Sequence, residues 1–167
     1  IDGGRITNEC NFMWEGIEVW GNSSLDQSSP SDQGVLKLKN NAVIENAKCA
    51  VRLGHNTTTE GYEIDWSKTG GIVIANDATF KNNLKDVEFL SYHNVNDLSG
   101  NLYNNKSKFT ECYFTVDSPL SFSNNASTST LSSRVSLYNV EGVSFTRCEF
   151  LIEGQAQDHY PIEDRGA

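Results

Sequence analysis

Apolar and polar residues alternate along this chain in short bursts rather than long runs. In residues 34–53, GVLKLKNNAVIENAKCAVRL, Leu36 and Leu38 share one side of an extended segment and Lys37 and Lys39 the other. Asn40 and Asn41 read as a corner. Ala42 and Ile44 return to the apolar side, a bend follows at Asn46, and Val51 and Leu53 mark a third short strand. The pattern recurs without a gap in residues 70–89, GGIVIANDATFKNNLKDVEF, at an offset of 36. Leu36 then falls on Ile72, Leu38 on Ile74, Asn40 on Asn76, Ala42 on Ala78, Ile44 on Phe80, Asn46 on Asn82, and Val51 and Leu53 on Val87 and Phe89. Three strands and their bends in ~20 residues suit one turn of a parallel β-helix, which must stack on further turns to bury its apolar face.

The rest of the chain follows the same plan. Residues 14–21, WEGIEVWG, alternate as a strand with Ile17 and Val19 on one face and Glu18 and Trp20 on the other. A third coil is expected in KFTECYFTV, 108–116, and a fourth in 134–152, where Phe145 repeats Phe109 at 36 residues. This register predicts an inward ladder of Ile44, Phe80, Phe109 and Phe145. A second column, three residues on, would hold Ala47, Asn83, Cys112 and Cys148. Asn83 there needs a hydrogen-bond partner. The polar insertions 54–69, 91–106 and 117–133 are expected to leave after each third strand and gather on one flank, in repeat proteins often the binding side.

The reading is therefore one all-β domain over 1–167: a right-handed parallel β-helix solenoid of about four to five coils, spanning about 3–153, with long loops on one flank and an irregular tail, 154–167. Its coil ends look open, so the chain is expected to be a segment of a longer protein or to meet a partner there.

The motifs WEGIEVWG, GVLKLKNNAVIENA, GGIVIANDATFKNN with VEFLSYHN, and VSLYNVEGVSFTRCEF resemble right-handed β-helix proteins of the pectin-lyase-like superfamily, nearest to large exported proteins of Bacteroidetes-type bacteria. The resemblance implies a secreted or cell-surface bacterial protein, often one that leaves by type IX secretion. Catalytic members of that superfamily use acidic clusters with calcium and a Lys or Arg base, or paired Asp residues. None of their motifs is intact here, so no catalytic residue is carried over.

Composition narrows the partners. Thirteen basic against 22 acidic residues give a net charge of −9, which disfavours nucleic acid and anionic membrane. No apolar run approaches the ~20 residues of a membrane span, so membrane insertion is not expected. Cys10, Cys49, Cys112 and Cys148 form no C-x-x-C pair. Cys112 and Cys148 would stack at the strand spacing of ~4.8 Å, where reduced thiols fit better than a bridge, though both remain open.

No constellation of site residues stands out. Glu63, Asp65, Glu88, His93 and Arg134 are candidates for acid–base work, yet their spacing assembles nothing, and exposed strand and loop charges explain them as well. His55, His93 and His159 are too scattered for a metal triad. No cofactor is implied. The acid excess would admit Ca²⁺, but no calcium-binding repeat is present. Trp20, Trp66 and Tyr92, with Tyr62 and Tyr103, could stack on sugar rings or merely cover the coils beneath them. The binding candidates are thus Trp20, Asp65, Trp66, Tyr92 and His93.

Three functions fit. The first is a non-catalytic structural and binding segment recognising polysaccharide or protein on the loop flank. The second is a uronate polysaccharide lyase, which would need carboxylates and a Lys or Arg converging on one face. The third is a cargo fragment held by an export or surface complex.

Overall fold

A computed structural model describes residues 1–8, 12–28, 31–58, 61–96, 98–120, 133–154 and 156. Cys10, His159 and most of the expected tail and third insertion lie outside them. The described residues form a parallel β-solenoid of about four turns with almost no helix.

An incomplete opening turn holds β1 (Arg5–Ile6) and β2 (Ile17–Glu18). The first full turn is β3 (Val35–Leu38), β4 (Ala42–Glu45) and β5 (Cys49–Leu53). A hairpin of β6 (His55–Asn56) and β7 (Ile64–Asp65) and a short 3₁₀ turn, Trp66–Lys68, then project from it. The second turn is β8 (Ile72–Asn76), β9 (Ala78–Lys81) and β10 (Lys85–Phe89). The third is β11 (Lys108–Thr110), β12 (Tyr113–Val116) and β13 (Val135–Leu137), and β14 (Ser144–Thr146) and β15 (Glu149–Ile152) begin a fourth.

Equivalent strands pair in parallel into three sheets. Sheet 1 runs β3-β8-β11-β14, sheet 2 runs β1-β4-β9-β12-β15, and sheet 3 runs β2-β5-β10-β13. Right-handed winding, the hand parallel crossovers take, is consistent with this stack.

The core is a set of one-residue-per-turn ladders, because parallel in-register strands place like positions ~4.8 Å apart. In sheet 3 the inward columns are Ile17–Val51–Val87–Val135 and Leu53–Phe89–Leu137. In sheet 2 Ile44 meets Phe80, then Phe114, then Phe150. Phe80 and Phe114 stack with centroids 4.9 Å apart, and Phe114 and Phe150 at 4.6 Å.

Phe109 and Phe145 stack equally well, at 4.8 Å, but in sheet 1 above Leu38 and Ala75. The expected ladder of Ile44, Phe80, Phe109 and Phe145 thus divides between two sheets. Phe114, not Phe109, follows Phe80, because a gap of 34 rather than 36 residues separates the second and third turns there. Cys112 and Cys148 consequently belong two positions before Phe114 and Phe150, in the column of Ala42 and Ala78. Cys49, Cys112 and Cys148 are free thiols.

Sheet 1 corrects the gapless repeat. Its strands pair Leu36 with Val73 and Leu38 with Ala75, an offset of 37, while sheets 2 and 3 keep 36 between the same turns. The first-turn corner, Lys39 to Asn41, has three residues, two of them left-handed (Asn40 φ 57°, Asn41 φ 60°). The second-turn corner has only Asn76 and Asp77 (φ 54°). Each left-handed residue reverses the strand sharply, and Asn and Asp tolerate that conformation. The extra residue puts Val73 and Ala75 in the core and turns Ile72 and Ile74 to the other side of the sheet, where Ile72 is still buried, since a one-residue slip reverses every side chain.

The insertions 54–69 and 91–106 do leave after third strands. The 117–133 insertion leaves after β12, a second strand, so Val135–Leu137 closes the third turn instead of opening the fourth. Loops 22–33 and 91–106 are tied together at one corner. Buried Gln27 donates to the Gly70 carbonyl at 3.0 Å, while its side-chain oxygen accepts from Lys106 N–H at 2.7 Å. No helix among the described residues is long and apolar enough to cross a membrane.

Candidate functional site

Sheet 3 carries the most chemically organised surface. Its register places Glu18, Arg52, Glu88 and Ser136 in one outward row across four strands. Just past these strand ends come Trp20, Gly54, Leu90 and Tyr138, with the Leu90 side chain against Gly54. The 54–69 insertion folds back over this face. It sets Tyr62 over Arg52, guanidinium to ring centroid 5.5 Å, and Trp66 near Tyr138, centroids 6.3 Å apart and tilted 51°.

The charges pair along the row, as opposite charges on adjacent strands do. Arg52 Nε donates to Glu88 at 2.7 Å, Lys85 Nζ donates to the other Glu88 oxygen, and Arg52 Nη1 lies 3.6 Å from Glu18. Glu18 also accepts from Trp20 Nε1 and the Asn56 backbone N–H, each at 2.8 Å, and lies 2.8 Å from His55 Nδ1. The His55 ring packs on Trp20 at 4.3 Å.

These contacts set the protonation states. Burial pushes the Glu18 carboxyl up, but the Asn56 N–H, His55 and Trp20 outweigh it and hold it below the usual carboxylate range. Burial likewise opposes ionisation of Glu88, and Lys85 and Arg52 more than offset it. Burial and then the Glu88 charge push the Tyr62 hydroxyl up to about 12. Burial pushes the Cys49 thiol, at the groove floor, up to about 12 as well. Both carboxylates are thus ionised and paired with donors, and neither Tyr62 nor Cys49 offers a ready anion.

Tyr62 divides two hollows. On one side Glu15, Cys49, Arg52, Asn56, Lys85 and Glu88 line a polar groove of about 450 Å³. On the other, Trp66, Phe89, Leu90, Ser136 and Tyr138 join Tyr62 and Glu88 around a trough of about 380 Å³. Exposed rings wall the trough, Trp66 52%, Tyr62 59% and Tyr138 60% accessible, and Trp20, 48% accessible, stands beside His55 on the same face.

The sequence candidates are only partly gathered here. Trp20 and Trp66 stand on this face. Asp65 stands beside it, but its carboxylate caps the 3₁₀ turn, accepting from Ser67 N–H at 3.0 Å and Ser67 Oγ at 2.6 Å, which lowers its pKa. Tyr92 is buried, its hydroxyl donating to the Leu25 carbonyl at 2.7 Å, so it fastens two loops and presents no ring to a ligand. His93 is exposed on the 91–106 loop, and its carbonyl accepts from Val95 N–H. Tyr103 is exposed on that same loop.

Sequence reasoning missed Glu18, Arg52, His55, Lys85, Ser136 and Tyr138 as members of one face. Arg52 and Glu88 carried a signal, lying 36 residues apart in the repeat with opposite charge. Tyr138 carried none, because the 117–133 insertion hides that Val135–Leu137 is a third strand.

Arg134, a sequence candidate, lies apart from this row and pairs with Asp86, which is fully buried beside Asn83. Arg134 Nη2 donates to the carbonyls of Asn83 (2.7 Å) and Leu84 (2.9 Å). Its Nη1 lies 3.5 Å from Asp86 Oδ2, and neither atom has a hydrogen-bond partner among the described residues. Burial therefore dominates over the Arg134 charge and pushes the Asp86 carboxyl up to about 7. No group of three or more His, Cys, Asp or Glu that could hold a metal occurs among the described residues.

Comparisons with protein-family models, curated proteins and solved structures found no match.

Proposed function

We propose that this chain is a non-catalytic binding segment of an exported or cell-surface protein, built on a pectin-lyase-like β-helix and recognising glycan on sheet 3 beneath the 54–69 insertion. One observation carries the reading: three half-exposed rings, Tyr62, Trp66 and Tyr138, wall a trough of saccharide size on sheet 3, with the exposed Trp20 ring on the same face. Export and bacterial origin rest on the sequence resemblance alone.

The lyase alternative draws on a specific feature, the convergence of Glu18, Glu88, Arg52 and Lys85 on one face. Each carboxylate is paired with cationic or neutral donors, and the Arg52 guanidinium reaches both. A general base works best with a pKa near the operating pH, and these contacts hold both carboxyls below the usual carboxylate range. Binding is therefore the better reading.

Retention of the folded chain on immobilised polysaccharides tests it, with Trp66→Ala and Trp20→Ala as comparisons. Retention lost in either variant supports recognition on sheet 3. A parallel absorbance assay for unsaturated products on uronate polysaccharides, with and without Ca²⁺, is expected to stay flat. A steady rise abolished by Glu88→Gln would replace binding with lyase chemistry.

A further inference from the structure

We infer that the trough walled by Tyr62, Trp66 and Tyr138 takes a neutral pyranose unit and rejects uronate and sulfated sugars. This rests on the glycan-binding reading above and adds the class of sugar.

Size comes first. A volume of about 380 Å³ suits one or two sugar rings. It is small against the ~800 Å² per partner that a stable protein interface covers. An extended peptide has no strand edge to join here, because β10 is already paired on both sides, with β5 and β13.

The walls come next. Trp66 and Tyr138 meet at 51° with centroids 6.3 Å apart, making an open V rather than a flat platform. Leu90 contributes to the apolar lining. Ring faces carry negative quadrupole density, which suits the C–H face of a pyranose and opposes an anionic group. The hydroxyls of Ser136 and Tyr62 are neutral partners for sugar hydroxyls.

Charge decides the class. Among the described residues Glu88 is the one formally charged residue lining the trough, and it is an anion already held by Lys85 and Arg52. A carboxylate or sulfate on the ligand would meet Glu88 with no unpaired cation in the lining, inside a protein of net charge −9. Desolvating such a group there has nothing to offset it. A neutral sugar incurs no such penalty.

The test titrates the folded chain, by calorimetry and tryptophan fluorescence, with neutral oligosaccharides of glucose, xylose, mannose and galactose. Oligogalacturonate and a sulfated oligosaccharide form the second arm, and both arms are run at low and high salt. Trp66→Ala and Tyr138→Ala remove exposed rings, Tyr103→Ala is an exposed ring off the site, and circular dichroism checks that all three fold.

At least one neutral series is expected to bind with little salt dependence. Trp66→Ala and Tyr138→Ala each weaken it about ten-fold, the scale of one lost ring contact, and Tyr103→Ala leaves it unchanged. Tighter, salt-sensitive binding of the anionic sugars would overturn the inference and leave glycan recognition standing. Neutral binding that ignores both ring variants would overturn the trough as the site. Binding of no saccharide of either class would overturn the glycan reading itself, and the inference with it.

Discussion

At the scale of single residues, the fold depends on a few fully buried groups. Phe80 is inaccessible, stacked on Phe114 and edge-on to Phe109 at 6.1 Å. Phe80→Ala is expected to cost about 3–5 kcal/mol in chemical denaturation, as a cavity within two ring columns. A near-wild-type midpoint would show that the columns collapse around the gap. Asn83 is the polar counterpart. Its side-chain oxygen accepts from Ala47 N–H at 2.9 Å, and its amide donates to the Ile44 carbonyl at 3.1 Å and to Asp86 at 2.9 Å. The need for a partner was legible in the sequence; that one amide would bridge two turns and a buried acid was not. Asn83→Ala strands these groups and is expected to cost at least about 1–3 kcal/mol by the same measurement.

Asp86 makes stability depend on pH in an unusual direction. The folded protein holds this proton up to about pH 7, whereas the unfolded carboxyl releases it near its ordinary value of 3.8. Between those values the folded state binds more protons, so the contribution of this group is full below the unfolded value and is lost as pH rises toward 7. Melting temperatures of the wild type and Asp86→Asn are expected to draw apart steadily over that window, with the wild type losing ground. A constant difference would mean that Arg134 keeps the carboxylate ionised throughout.

At the scale of elements, the corners govern register. Asp77 sits at φ 54° in a two-residue corner, with its N–H donating to the Thr110 carbonyl at 3.0 Å. Asp77→Gly should be tolerated, while Asp77→Val should cost about 1–2 kcal/mol, since a β-branched side chain resists the left-handed conformation. Equal denaturation midpoints for the two variants would contradict the corner geometry. Strand type and the presence of corners were readable from alternation and Asn positions. Corner length was not: Asn40-Asn41 and Asn76-Asp77 look alike in sequence, yet one corner holds an extra residue, and that alone decides whether Ile72 or Val73 faces the core. The same blindness split the phenylalanine ladder and concealed the third strand at Val135. The candidate site suffered for this reason, because a row running across four strands is visible only once every register is known.

At the scale of the whole molecule, interior strands are paired on both sides and terminal strands on one. Amide exchange is therefore expected to be slowest in β5, β9 and β10 and to quicken toward β1 and β15. Uniform protection throughout would indicate a single cooperative globule. The Trp66–Tyr138 contact complicates this gradient. Trp66 belongs to the loop that follows the first turn and Tyr138 to the third, so the pair spans a turn that contributes neither ring. A solenoid is close to a one-dimensional lattice with nearest-neighbour coupling, in which each unit melts against its own two contacts. A ring pair that skips a unit is a second-neighbour bond, and a ligand wedged into it would strengthen that bond. Occupancy of the trough would then be felt as cooperativity: turns that otherwise fray one at a time would be held, and released, together.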